Sequence, residues 1–293
     1  MRGHLSGLLE HALGEPVDIV DTAPLSGGDI SDAARVKTDR RQLFVKWQHR
    51  GPADLFEREA EALELMRASG TSLRIPEVYA ATGDDDGFPA ALVLEYIERG
   101  SPAPDYDEQL GIGLAQLHAA SADAYGFAHD NYCGLTPQPN DWTDDWITFY
   151  REKRLRHQVQ LIEERRRLSS SQRRLFETLL ENLDDILDDS EPPSLIHGDL
   201  WSGNVFADTH GRPVLIDPAA YYAHPEAEIG MMELFGNFSD TVYRAYQRHR
   251  RLSPGWRDRI PAYSLYHLLN HYLLFGGHYI QRAVETAQRL WKC

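Results

Sequence analysis

The sequence predicts an α+β chain of two lobes. A small antiparallel sheet with one helix occupies residues 1–97, and a larger, mostly helical lobe occupies residues 98–293. Three observations predict it. Before residue 100 the apolar residues fall into short β-branched or aromatic runs, "VDIVDTAPL", "DAARVKT", "QLFVKWQ" and "AALVLEYIE". One stretch among them, "ADLFEREAEALELMRAS", repeats with helical period instead. After "ERGSPAP", helical periodicity dominates at 105–121, 143–166, 171–188, 239–251 and 257–275, and only "SLIH" and "RPVLIDP" read as strands. A join at about residues 95 to 101 places a cleft between the lobes, and such clefts are preferred ligand sites.

Composition narrows the partners. The 293 residues suffice for a large core, and 42% hydrophobic and 26% charged content is ordinary for a globular protein. Forty-five acidic against thirty basic side chains leave a net charge of −15, which repels phosphate backbones and anionic lipid headgroups. Neither nucleic acid nor membrane is expected as a partner. No apolar stretch approaches the roughly 18 residues that span a bilayer. "MRGHLSGLLEHALGEP" lacks a signal-peptide apolar region with a cleavage site, so a cytoplasmic protein is expected. Cys133 and Cys293 form no disulfide framework and lack metal-ligand spacing; both read as free thiols.

Taken in order, the elements carry a set of polar residues. "LSGGDISDAARV" puts Gly27 and Gly28 between two strands, where bare backbone could approach phosphates closely, although a Gly-Gly hairpin turn is the commoner use of such a pair. Lys46 lies in "LFVKWQ"; if it shares a face with Phe44, its ammonium needs an anionic partner. In the helix at 54–69, Leu55, Phe56, Ala62, Leu63 and Met66 form an apolar stripe with Glu59 at its centre, while Glu57, Glu61 and Glu64 fall on a solvated face. A carboxylate centred on a buried stripe requires a cation, and Lys46 is the candidate. "SLIHGDLWSGNVF" then runs from a strand into a loop bearing His197, Asp199 and Asn204, and Asp217 ends the apolar run "RPVLIDP". His-x-Asp-x-x-x-x-Asn is the spacing of a kinase catalytic loop, whose Asp takes a hydroxyl proton and whose Asn holds magnesium. Asp217 adds the second oxygen ligand that a hard Mg2+ bridging phosphates needs. Gly loop, strand Lys, helix Glu, catalytic loop and strand-end Asp occur in the order of a protein-kinase-like fold.

The resemblance is narrower than that. "HGDLWSGN", "IDPAAYYAHPEAEIGMMELFGNF" and "YGFAHDNYCGLTPQPN", with "FVKW", "FEREAEAL" and "LVLEYIE" upstream, are similar to the fructosamine kinases (ketosamine-3-kinases), a branch of the aminoglycoside-phosphotransferase-like kinases. "GGDISDAARV" departs from that branch in lacking an Asn after the Ile and an aromatic residue after the Ala. The resemblance implies ATP and Mg2+ as cofactors and phosphorylation of the 3-hydroxyl of a ketosamine, small or protein-bound, leading to deglycation. It implies that Lys46, Glu59, Glu95, Tyr96 and Ile97 contact or position the nucleotide and that Asn204 and Asp217 hold the metal. Asp199 acts on the acceptor hydroxyl beside Trp201, and His197 braces the loop. The residues alone leave open a kinase for an aminoglycoside, choline or another amino-alcohol, or a kinase fold that only binds. Monomer and homodimer are equally compatible.

Two further signals are set aside. His267 and His271 in "HLLNH", with His278 nearby, have a spacing that can bind zinc, but no acidic or cysteine third ligand accompanies them in sequence, so packed side chains are expected. "EERRR" at 163–167 reads as a solvated helix face.

Overall fold

The computed structural model describes residues 2–25, 31–84 and 88–290, so Gly27, Gly28 and Cys293 lie outside the described residues. The chain opens with α1 (Arg2–Leu13), followed by β1 (Ile19–Leu25), β2 (Asp32–Thr38), β3 (Gln42–Gln48), α2 (Leu55–Ala68), β4 (Val78–Thr82) and β5 (Ala90–Glu95). The strands form one antiparallel sheet in the order β1-β2-β3-β5-β4. Period two sorts its side chains. Leu43, Val45 and Trp47 of β3 are buried with Leu5, Leu8 and Leu9 of α1, which also cover Ala91 and Val93. Leu92 and Leu94 turn to the other face, onto Phe56, Leu63 and Met66 of α2. The small lobe thus has two helices where the sequence reading expected one. On α2, Glu57 and Glu64 are exposed, but Glu61 is half-buried and accepts from Arg58 and from His129 of the large lobe, each at 2.8 Å. That corrects the expectation of a wholly solvated face.

The large lobe comprises α3 (Tyr106–Leu117), the hairpin β6 (Asn131–Cys133) and β7 (Thr136–Gln138), α4 (Trp146–Phe149), a π-helical turn (Tyr150–Arg156), α5 (His157–Arg165), α6 (Ser170–Glu181), β8 (Ser194–Ile196), β9 (Val205–Ala207), β10 (Pro213–Leu215), β11 (Tyr221–Ala223), α7 (Glu226–Phe235), α8 (Asp240–His249), α9 (Trp256–Phe275) and α10 (Tyr279–Leu290). The helix expected at 143–166 is interrupted by the π turn, from which the buried Arg154 points inward. Its guanidinium lies 4.7 Å and 3.9 Å from the ring centres of Phe149 and Tyr221 and donates to Asn140 Oδ1 at 2.7 Å. Arg at this depth needs such partners.

The lobes meet at several places besides the cleft, among them α2, where Tyr132 of β6 donates to Asp54 at 2.8 Å and His129 Nδ1 lies 2.8 Å from Glu61. The chain crosses after β5, and the stretch just after α2 lies against β10, where the Arg74 amide donates to Pro213 O at 3.0 Å and Leu215 N to Arg74 O at 3.0 Å. The Arg74 guanidinium donates to Glu95 at 2.6 Å and to the buried Asp208 at 2.7 Å. Among the described residues no helix is long and apolar enough to cross a membrane.

Candidate active site

Lys46 occupies the middle of β3, paired with Ala33 on one side and Leu92 on the other. On the α2 face its Nζ donates to both Glu59 oxygens, at 2.8 and 3.0 Å, and to Asp217 Oδ1 at 2.8 Å. One ammonium therefore serves two carboxylates from different lobes. Burial works against the charge on Lys46, but Asp217 and Glu59 together hold its pKa above the ordinary lysine value. Burial pushes Glu59 up, to about 7, while Lys46 pulls it down and Asp217 adds to the rise. Burial alone would raise Asp217 too; Lys46 holds it below the usual carboxylate range. Asp217 has φ 55°, a left-handed conformation that Asp tolerates better than most residues. Such conformations concentrate where geometry serves a ligand.

The loop between β8 and β9 brings the other residues to the same place. The buried His197 donates from Nε2 to Ile216 O at 2.9 Å, so its Nδ1 is left to accept from the Asp199 amide at 3.3 Å. Burial lowers its pKa, which keeps the ring neutral in that tautomer. Gly198 has φ 83°, and a Cβ there would stand 2.1 Å from Ala219 O, so only glycine fits this turn. Beneath it, the buried Glu228 of α7 accepts from the amides of His197 at 2.5 Å and Gly198 at 3.2 Å. The Asn204 amide nitrogen donates to Asp199 O at 2.9 Å and reaches Asp217 O at 3.5 Å, which leaves Oδ1 outside both contacts. Burial, then Asp217, then Glu228 raise the Asp199 pKa well above the usual carboxylate value.

Lys46, Glu59, His197, Asp199, Asn204 and Asp217 are thus one neighbourhood. The crossing residues are placed differently. The Glu95 carboxylate is committed to Arg74, its amide donates to Glu77 O, and the Tyr96 amide donates to Gln42 O at 3.3 Å. Ile97 is buried. Trp201 is 40% exposed, and a Cβ on Gly203 would sit 2.3 Å from its ring, so the indole lies directly over the Gly203 backbone. Sequence reasoning missed Glu228, whose signal is an acid inside the apolar run "EIGMM". It also missed the work of "TPQPN": Gln138 and Asn140 donate to Asn131 Oδ1, and Asn131 donates to Ala220 O at 2.8 Å, supporting the segment after Asp217.

A family model described as fructosamine kinase matches residues 1–292. The chain is 40% identical over 275 residues to a protein of Oryza sativa subsp. japonica named protein-ribulosamine 3-kinase, chloroplastic, covering 93% of this chain and 79% of that one. A crystal structure from Thermobifida fusca, assigned as a fructosamine-3-kinase, superposes with TM-score 0.87 at 32% identity over 99% of both chains. An aminoglycoside phosphotransferase solved with ADP and hygromycin B is similar at TM-score 0.67 and 16% identity over 98% of both chains, a likeness of fold alone. The relatives extend over nearly the whole chain, and the fold agrees with them: the chain belongs to the fructosamine kinase family.

Proposed function

We propose that this chain is a magnesium-dependent ketoamine kinase. It moves the γ-phosphoryl group of ATP to the 3-hydroxyl of the sugar, with residues 1–97 as the nucleotide lobe and residues 98–293 carrying the acceptor site. One observation supports this reading above the others. Lys46 of the small lobe reaches Glu59 and Asp217 together at 2.8 Å, beside Asp199, so both lobes contribute to one phosphate-holding cluster. Family membership supports the choice of acceptor.

Lys46, held by Glu59, binds phosphate oxygens, and Gly27 and Gly28 add backbone amides. Glu95, Tyr96 and Ile97 meet the base through main-chain groups other than the Glu95 and Tyr96 amides, which already donate to Glu77 O and Gln42 O, while the Glu95 carboxylate is held by Arg74. The donor set suits magnesium: the Asp217 carboxylate and the Asn204 amide oxygen are the hard oxygen ligands it prefers. When bound, the ion neutralises charge on the transferring phosphoryl group. Asp199 orients the 3-hydroxyl and takes its proton as the new O–P bond forms and the bond to ADP breaks. Its raised pKa makes it a stronger base than an ordinary carboxylate. Trp201 flanks the sugar and His197 fixes the loop.

The product explains why no further catalytic group is needed. A ketoamine carries nitrogen on carbon one and its carbonyl on carbon two. After phosphorylation at carbon three, loss of a proton from carbon one gives an enaminol with a leaving group on the adjacent carbon. Inorganic phosphate departs, and water hydrolyses the resulting imine to free the amine. To test this, Mg-ATP is supplied with fructosyl-lysine, ribulosyl-lysine, an aminoglycoside and choline, with phosphorus NMR following phosphate and chromatography following free lysine. Transfer to a ketoamine at carbon three with lysine release is expected. Phosphorylation of only the aminoglycoside or choline overturns the assignment.

A further inference from the structure

Apart from its link through Asn204 to the Lys46 cluster, Asp199 faces a second convergence. Cys133 ends β6, His267 lies in the middle of α9, and Asp199 follows β8. One donor atom from each, Sγ, an imidazole nitrogen and a carboxylate oxygen, lie within 4.8 Å of one another. His267 is 4% exposed, and its Nδ1 has no hydrogen-bond partner although it points to Asp199 Oδ1 at 4.0 Å. That distance is too long for a hydrogen bond. Cys133 is 2% exposed, and its Sγ is held in place by Asn270 Nδ2 at 3.2 Å. The Asp199 side chain is 23% exposed, which gives the cluster a way in from the cleft.

Sulfur, nitrogen and oxygen from three facing side chains suit a borderline-soft divalent cation, with a fourth tetrahedral position for water. Donors about 2.0–2.3 Å from a tetrahedral zinc stand roughly 3.3–3.8 Å apart. The three atoms, within 4.8 Å of one another, need to draw in by at most about 1.5 Å to reach that spacing. Magnesium, which prefers oxygen throughout, has no reason to enter. The sequence reading set the histidines aside for want of a third ligand. The fold supplies two, but to His267 alone: His271 Nδ1 is bonded to His267 O at 2.8 Å, and its ring packs among Phe235, Phe275 and Tyr279.

We propose that Cys133, Asp199 and His267 form an inhibitory site for a borderline-soft divalent cation, zinc first, separate from the Asn204–Asp217 oxygen site. Binding exchanges the Cys133 thiol proton, released to solvent, for a metal–sulfur bond. It also withdraws the Asp199 carboxylate from the acceptor hydroxyl while Lys46 and Glu59 stay free. Inhibition is therefore competitive with the acceptor and not with Mg-ATP. That consequence rests on the function proposed above; the binding does not.

Chelator-treated protein is titrated with Co2+ alone, without substrates. A thiolate-to-cobalt charge-transfer band is expected in the wild type, displaced by Zn2+ and absent in Cys133→Ser. In kinase assays at saturating Mg-ATP, zinc should raise the acceptor KM. The zinc needed for half-inhibition, each protein taken relative to its own rate in chelator, should rise at least about tenfold in Cys133→Ser and in His267→Asn. Cobalt binding without the sulfur band, or equal zinc sensitivity in all three proteins, overturns the site. A sulfur band in a protein that phosphorylates no ketoamine counts against the acceptor assignment and upholds the metal site.

Discussion

Lys46 and Asp217 stand 171 residues apart in the chain and 2.8 Å apart in space, one from each lobe. Asp217→Ala removes both a partner of Lys46 and a proposed metal ligand. The Mg2+ concentration for half-maximal turnover should rise at least about tenfold and turnover should fall. A magnesium titration of the rate that superimposes on the wild type refutes the ligand role.

Glu59 and Glu61 differ in depth rather than in type. Glu59→Gln weakens a buried, charge-assisted pair worth about 1.5–3 kcal/mol, so kcat/KM should fall about tenfold or more. Glu61→Gln touches partly solvated pairs worth at most about 1 kcal/mol, away from Lys46, and should leave kcat/KM within about twofold. Equal losses in steady-state kinetics would place the Lys46 contact outside the mechanism.

Asp199→Asn keeps the shape of the loop but removes the proton acceptor. Turnover should drop roughly a hundredfold to ten-thousandfold. Calorimetric ATP affinity should change by less than about threefold, because no nucleotide contact is assigned to this carboxylate. A parallel loss of ATP binding contradicts the assignment.

Glu228 anchors the turn from below through the His197 and Gly198 amides. Glu228→Gln turns one acceptor into a donor facing another donor. Unfolding by urea should show a loss of about 1.5–3 kcal/mol together with reduced turnover. Native stability with reduced turnover would assign Glu228 a direct role instead.

His224 gives the fold an acid limit. Burial lowers its pKa to about 3, whereas an unfolded histidine titrates near about 6.5. Between those values the unfolded chain binds the proton and the folded chain does not. This contribution to stability is complete above about pH 6.5 and is lost as pH falls toward about 3, by up to about 1.4 kcal/mol per unit. His224→Asn, which can still accept from the Glu226 amide as Nδ1 does, should make the urea midpoint fall less steeply across that window, the remainder coming from His267, which burial also lowers to about 3. An unchanged slope assigns the acid limit to other groups.

How much of this was legible in the sequence depended on whether a contact follows from one element's period. Lys46 and Glu59 each sit at a definite phase of a strand or helix, so their meeting could be argued before any coordinates. Helix α1 announces itself only through the helical spacing of Leu5, Leu8 and Leu9 in "LSGLLEHAL", a signal little more than one turn long. Helix α7 is buried nearly all round, so no polar face announces it. In α10 the inward face is made by Ala283 and Ala287, too small to stand out. Cys133 and His267 meet Asp199 only through the packing of the β6–β7 hairpin and α9, which no local pattern encodes. The placement of Glu95 was half legible: its position at the crossing followed from the run of strands, but its bond to Arg74 did not.

The Arg74 junction between the lobes has a mechanical meaning. A chain crossing alone acts as a swivel, free to tilt in any direction. Here the Arg74 backbone is also stitched to Pro213 and Leu215, and its guanidinium ties Glu95 to Asp208. Helix α2 is held as well, with Tyr132 on Asp54 and His129 on Glu61, so the small lobe is braced at more than one point along its length. A brace of this kind keeps Lys46 and Asp217, 2.8 Å apart, in one register, and with them a phosphate held by one lobe and a hydroxyl held by the other.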